Sequence, residues 1–406
     1  MTRPPLSRPA RQVLDAALGR RRFLQGVGAG SLALAAGGAL TACGTEPTGT
    51  GDASGAAGGD ASDTDMALVV SNWQLYIDTD EEDENLRPTL ASFEEETGIS
   101  VEYIEDISDN ESFYAKISPQ LRAGQDIGRD LIIPTDWLVA RLIRQGYVQT
   151  IDTANTPNFP ANLIESLQSP AFDPSREYSA PWQSGLTGIA YNAGLVPEVR
   201  TMTELLTRED LKGKVTCLLE MRDTVGLIML EQGVDPAGEF TDDEFEAAIE
   251  VLQQAVDSGQ IRQFTGNEYS DGLAAGNIAA CVAWSGDIIQ LQLDNPDLTF
   301  VPPEAGLMLW SDNMVIPNQA RHKRNAELWI DHYYDPAVAA ELAAWVNYIC
   351  PVAGAQEAMV DIDPELAENE LIFPTDATLS QTHVFRGLTE EEEIRYTELF
   401  NQVTGG

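Results

Sequence analysis

From residue 66 onward the chain switches repeatedly between short apolar runs and stretches whose apolar residues fall three or four apart. ALVVSNW (67–73) has the length and character of a strand; Leu86, Leu90 and Phe93 then mark one helical face, which Gly98 closes. ISVEYIE follows as a strand, and DLIIP (130–134) as one buried on both sides. Thr135 opens a helix carrying Leu138, Leu142 and Ile143, with Gly146 as its stop. LTGIAYN (186–192), KVTCLL (214–219) and IAACVAW (278–284) read as further strands. Asp223 is placed to cap a helix that ends at Gly233. Thr241 and Glu244 form a capping box ahead of the stripe Phe245, Ile249, Leu252 and Val256, which Gly259 ends. Asp335-Pro336 starts another helix, and Thr389 with Glu392 caps a last, Glu-rich one. Strands alternating with helices predict parallel, doubly wound α/β sheets, and the length of this segment suits two lobes.

Residues 1–65 do not share the pattern. Arg20-Arg21-Arg22-Phe23-Leu24 is a twin-arginine export address, followed by a weakly apolar stretch to Ala42 that is too short and Gly-rich for a membrane span. Leu40-Thr41-Ala42-Cys43-Gly44 has the form of a lipobox, in which the Cys43 thiol takes a diacylglycerol. Residues 1–42 therefore read as a Tat-type lipoprotein signal peptide. Residues 43–65 read as a lipidated cysteine and a flexible linker with almost nothing to bury. The expectation is an exported protein held at the outer face of the cytoplasmic membrane by its lipid alone.

The 406 residues carry 65 Asp and Glu against 24 Lys and Arg, a formal charge of −41, and loss of residues 1–42 takes it to −46. Nucleic acid is excluded as a partner because phosphate neutralisation needs clustered basic residues. Cations are the favoured ligands, although charge alone specifies no more than a soluble surface. Besides Cys43 the cysteines are Cys217, Cys281 and Cys350; apolar strand-like surroundings favour buried thiols over a Cys217–Cys281 bridge. His322, His332 and His383 lack metal-ligand spacing, so neither metal nor cofactor is expected. The chain also lacks a GxSxG elbow, HExxH and SxxK, which argues against an exported hydrolase.

In open α/β sheets ligands sit beyond the carboxyl ends of the strands. At those ends stand Trp73, Thr135-Asp136-Trp137, Glu220 with Asp223, and Trp284-Ser285-Gly286-Asp287. Rings and carboxylates without a nucleophile–base pair suit an elongated organic cation. Ring faces attract ammonium groups at ~0.5–2 kcal/mol per contact, and carboxylates supply charge-assisted hydrogen bonds to the nitrogens. Stacked rings also suit sugars, and it is the carboxylates that tip the choice.

At these residues the chain resembles the bacterial spermidine/putrescine-binding proteins, the extracytoplasmic receptors of polyamine ABC importers. The likeness runs from about Ala67 to Phe400 and is carried in order by NWQLYI, FEEETGISVEY, DLIIPTDWLVARLIRQG, GNIAACVAWSGD, LWSDNMVIP and AAWVNYICPV. It implies a type II periplasmic-binding-protein fold, with two doubly wound lobes joined by crossing hinge strands and the ligand between them. Lobe 1 would comprise residues 66–186 and 310–356, and lobe 2 residues 187–309 and 357–406. The resemblance assigns ligand contacts to Trp73, Tyr76, Thr135, Trp137, Glu220, Asp223, Trp284, Trp310, Asp312 and Tyr348, with Asp312 binding an amine between the rings. Leu75 stands where the family often has a carboxylate, and Arg222 is a charge of the wrong sign beside the second-lobe acids. The implied partners are a polyamine and the subunits of an ABC permease, and the implied state is a monomer.

Each candidate also has a purely structural reading. Asp223 suits a helix N-cap, Glu220 a surface acid, Trp137 helix-to-sheet packing, Tyr76 and Tyr348 lobe packing, and Asp312 a turn. Asp136 and Asp287 read as helix caps. Competing functions are the same fold with another organic cation, a sugar or an amino-acid derivative, or a purely adhesive surface lipoprotein.

Overall fold

The computed structural model describes residues 59–405, apart from 75, 81, 82, 84 and 108. The arginine run, the lipobox and Cys43 lie outside the described residues. Twelve strands follow in chain order: β1 (Ala67–Trp73), β2 (Ser100–Ile107), β3 (Leu131–Ile132), β4 (Val148–Gln149), β5 (Ala180–Asn192), β6 (Val215–Leu218), β7 (Ile261–Thr265), β8 (Ala280–Trp284), β9 (Leu298–Val301), β10 (Leu307–Met314), β11 (Ile316–Pro317) and β12 (Thr382–His383). The first sheet has the order β2-β1-β3 and is parallel throughout. Its central strand alternates Leu68 and Val70, both fully buried, with half-buried positions, so one face packs on helices as an apolar run of this length requires.

The second sheet runs β12-β10-β5-β8-β6-β7, with β9 also paired to β5. Here the expectation of parallel pairing holds for β6 with β7 and β8, while β5 is antiparallel to β8, β9 and β10. The reason is topological. β5 does not return through a crossover helix of its own sheet but arrives from the region of the first one. It is buried along its whole length. Its first residues, Ala180 and Pro181, pair with Met314 and Asn313, and Val315, just beyond β10, bridges to Ile132 of β3. β5 and β10 thus run side by side from one sheet into the other. Trp182, on the first part of β5, stacks on Trp329 of helix Lys323–Tyr333 with ring centroids 6.0 Å apart and receives the Tyr333 hydroxyl on its carbonyl oxygen, which fixes the crossing strand in a fully buried setting.

Most local expectations are met for the reasons given. Gly98 adopts φ 73° after helix Pro88–Thr97, and both capping boxes form, Thr241 with Glu244 and Thr389 with Glu392. Leu86 is an exception: it precedes the helix, which Pro88 begins, and is exposed. Cys217, Cys281 and Cys350 are free and buried, so no Cys217–Cys281 bridge forms. Residues 60–65 are not free chain either. The Ala61 N–H donates to the Arg321 carbonyl, Asp60 accepts from the Arg324 N–H, the Ser62 hydroxyl accepts from the Asn325 N–H, and Asp65 meets His322 at 3.2 Å. A composition-based reading sees only the lack of apolar residues there; the docking is polar. No described helix is long and apolar enough to cross a membrane.

Candidate functional site

The carboxyl ends of β1, β3, β6 and β8 and the middle of β10 converge where the two crossing strands pass. β3 leads into Thr135, which forms an isolated bridge with Asp312 of β10. β10 also carries Trp310, paired opposite Gly185 of β5. Tyr348 follows helix Pro336–Val346 and is held by its neighbour Ile349, whose backbone exchanges hydrogen bonds with Ser184. β6 delivers Glu220 at the N-cap position of helix Met221–Glu231, and β8 delivers Trp284 at the same position of helix Ser285–Gln292.

The rings form a continuous chain. Tyr76 and Tyr348 meet edge to face at 5.5 Å, Tyr348 and Trp310 at 5.5 Å, and Trp310 and Trp284 at 6.2 Å, at interplanar angles of 88°, 58° and 72°. Such edge-on and tilted arrangements direct ring faces at several angles instead of closing them on one another. Both indole N–H groups are fixed: Trp310 donates to the Thr187 hydroxyl (3.0 Å) and Trp284 to the Asp223 carboxylate (2.9 Å). Two glycines make room for the chain. A Cβ on Gly185 would lie 2.2 Å from Trp310 Cζ2, and one on Gly286 would lie 2.7 Å from the Tyr348 ring.

Carboxylates stand along this chain. Asp312 accepts from the Thr135 hydroxyl at 2.6 Å; Thr135 in turn accepts from Asn110 Nδ2 (2.9 Å), which also reaches Glu220 (3.3 Å). The buried Tyr76 hydroxyl adjoins Asp312 but lacks a well-aligned hydrogen-bond partner. Burial pushes Asp312 up to about 8, against the opposing hydrogen bond from Thr135 and with help from the charges of Asp136 and Glu220. Burial and then the Asp223 charge push Glu220 to about 7, and burial pushes Asp223 to about 6 despite the bonds from Trp284 and Thr187. Asp287 accepts from Tyr269 (2.7 Å), Tyr348 (2.7 Å) and Asn267 (3.1 Å), and burial raises it too. Among the described residues no Lys or Arg makes an ion pair with these four acids. Arg222, next in sequence, bonds Glu393 instead, at 3.0 Å. Buried carboxylates without counter-ions are held by taking up protons, and a bound cation would let them ionise.

All the candidate residues except Trp73 and Trp137 are joined in this network. Trp73 ends β1 with its indole N–H on the Ile133 carbonyl (2.9 Å) and packs against the cores on either side. Trp137 lies beneath two guanidiniums, Arg222 at 4.1 Å and Arg141 at 4.9 Å. Asp223 is not an N-cap: it stands in the first turn and spends its carboxylate on Trp284. Asp287, read as a cap, occupies the equivalent place in its own helix and holds two tyrosines. The signal that could have found it is the shared layout, an acid three residues beyond the helix N-cap in each case, where the helix N-terminus favours negative charge. Asp136 is structural, accepting from Asn313 Nδ2 (2.7 Å) and the Ser311 N–H (3.2 Å), which pins β10. Asn110, Thr187 and Tyr269 had no sequence signal, because each acts through a neighbour.

Residues 89–374 match the family described as bacterial extracellular solute-binding protein. The chain is 27% identical over 348 residues to the spermidine/putrescine-binding periplasmic protein of Salmonella typhimurium, covering 85% of this chain and 93% of that one. It is 27% identical over 326 residues to the putrescine-binding periplasmic protein PotF of Escherichia coli, covering 76% and 83%. Among solved structures, a putative spermidine/putrescine ABC transporter protein from Listeria monocytogenes superposes with a TM-score of 0.73 at 27% identity, covering 83% of this chain and 98% of that one. The type II periplasmic-binding-protein fold follows from these likenesses and from the paired sheets with their crossing strands. The chain belongs to the bacterial extracellular solute-binding protein family.

Proposed function

We propose that this protein captures a polyamine of the putrescine/spermidine class outside the cytoplasmic membrane and delivers it to an ABC permease, without catalysing a reaction. The observation that carries the reading is a chain of four rings flanked by Asp312, Asp223 and Asp287, buried acids that make no ion pair with any described Lys or Arg. A sugar would stack on the same rings but would leave those acids without a counter-charge; a flexible polycation satisfies both. The named ligands of the relatives agree with this choice. Asp312 with Thr135 and Tyr76 would hold one ammonium, and Trp284 with Asp223 and Asp287 the other. Trp73 would close the rim, and Glu220 would add negative potential.

Capture works through closure. Lobe 1, residues 66–186 and 310–356, binds the cation first, and lobe 2, residues 187–309 and 357–406, docks its own ring and acids on it. The closed population then rises through differential affinity, and the permease distinguishes closed from open. A twin-arginine signal and a diacylglycerol on Cys43 would place the monomeric receptor on the outer membrane face. Calorimetric titration of the purified protein with putrescine, spermidine, a sugar panel and an amino-acid panel tests the reading. Saturable binding of an amine, weakened by added salt, is expected; binding confined to sugars or amino acids would overturn it.

A further inference from the structure

We propose that Arg222 is a specificity-determining residue, an internal cation that occupies the end of the site beyond Glu220 and so restricts the ligand to a short diamine, excluding the third ammonium of a triamine. The inference rests on the polyamine reading above and narrows it. A line of contacts leads from Asp312 through Thr135 and Asn110 to Glu220, the last acid of the network. Trp137 stands two residues after Thr135, in the first turn of helix Asp136–Arg144. Its face is taken: the Arg222 guanidinium lies 4.1 Å from the ring centroid, the geometry an ammonium would adopt there.

Arg222 is itself fixed in place. It stands in the first turn of helix Met221–Glu231, is buried, and donates to Glu393 at 3.0 Å. Glu393 is shared with Arg141 and Arg144, both at 3.1 Å, and Arg141 also bonds Glu111. Three guanidiniums therefore meet two carboxylates, and the charge of Arg222 also acts on Glu220. Glu390 and Glu398, which line the groove on the outer side, are exposed and screened by water. Arg222 attracts Glu220 and Asp223 electrostatically while pairing with neither, which places its charge among the site acids. A diamine is served by Asp312 at one end of the ring chain and by Asp223 and Asp287 at the other. An additional aminopropyl arm would have to set an ammonium against this guanidinium.

The test is calorimetric titration of putrescine, cadaverine and spermidine into the wild type, Arg222→Gln and Arg222→Lys. The wild type is expected to bind putrescine at least tenfold more tightly than spermidine. Arg222→Gln should shrink that ratio tenfold or more, and Arg222→Lys, which keeps the charge, should preserve it. Equal or tighter binding of spermidine by the wild type overturns the proposal, as does an Arg222→Gln protein that weakens both ligands alike or leaves the ratio unmoved. Should Arg222→Gln fail to fold, the wild-type ratio decides. Absence of any amine binding by the folded wild type would instead sink the polyamine reading itself, and this inference with it.

Discussion

Asp312 combines properties that suit the proposed binding role and work against stability. It is buried, held near 8 by that burial, and bonded to a single hydroxyl donor, Thr135. In the unfolded chain an aspartate titrates near its ordinary value of 3.8, so the folded unliganded protein binds this proton more tightly. Its contribution to stability is therefore full at low pH and is lost progressively as pH rises from about 4 to about 8. Asp312→Asn keeps an acceptor for Thr135 and removes that slope. Thermal unfolding of the unliganded variant at pH 8 should show a gain of about 0.5–2 kcal/mol, with polyamine binding lost at least tenfold. A loss of stability together with binding would mark the residue as structural. The same values set the pH dependence of capture. Cations bind the ionised acids, so affinity should rise with pH up to about 8, by roughly tenfold per unit for each proton that binding releases. Titrations in buffers of different ionisation enthalpy measure that release; a binding enthalpy independent of buffer would contradict it.

At the scale of elements, the crossing strands decide how sharply the rings are placed. Gly185 lies on β5 opposite Trp310, and the indole fills the space a side chain would need. Gly185→Ala should cost about 1–3 kcal/mol in stability by overpacking and should displace Trp310, weakening binding further than the stability loss alone explains. Chemical denaturation and ligand titration of the same variant separate the two effects. Sequence legibility divides along similar lines. Strand ends, capping boxes and Gly stops were readable because they depend on local dihedral preferences and short-range periodicity. The antiparallel course of β5 was not, since an apolar run such as LTGIAYN looks the same whichever neighbour it pairs with. Trp284, Trp310 and Asp312 could be singled out from position and resemblance. Asn110, Thr187 and Tyr269 could not, because their roles consist of hydrogen bonds to residues far away in the chain.

For the whole molecule, the C-terminal helix Glu390–Thr404 ties distant parts together. Its Tyr396 stacks on Phe245 at 3.9 Å, while Glu393, three residues earlier on the same helix, receives Arg141, Arg144 and Arg222. Arg141 and Arg144 come from helix Asp136–Arg144, after the first sheet, and Arg222 from the second. Glu393→Gln would leave buried guanidiniums without their carboxylate, and a loss of about 3–5 kcal/mol is expected in urea unfolding. A change below 1 kcal/mol would mean the arginines find other partners.

The polar seat of residues 60–65 bears on how the receptor withstands traction. Any load arriving along the chain from its amino-terminal side meets the hydrogen bonds to Arg321, Arg324 and Asn325 before it meets β1. Those bonds act as a strain relief, so the strand that positions Trp73 is spared tugging.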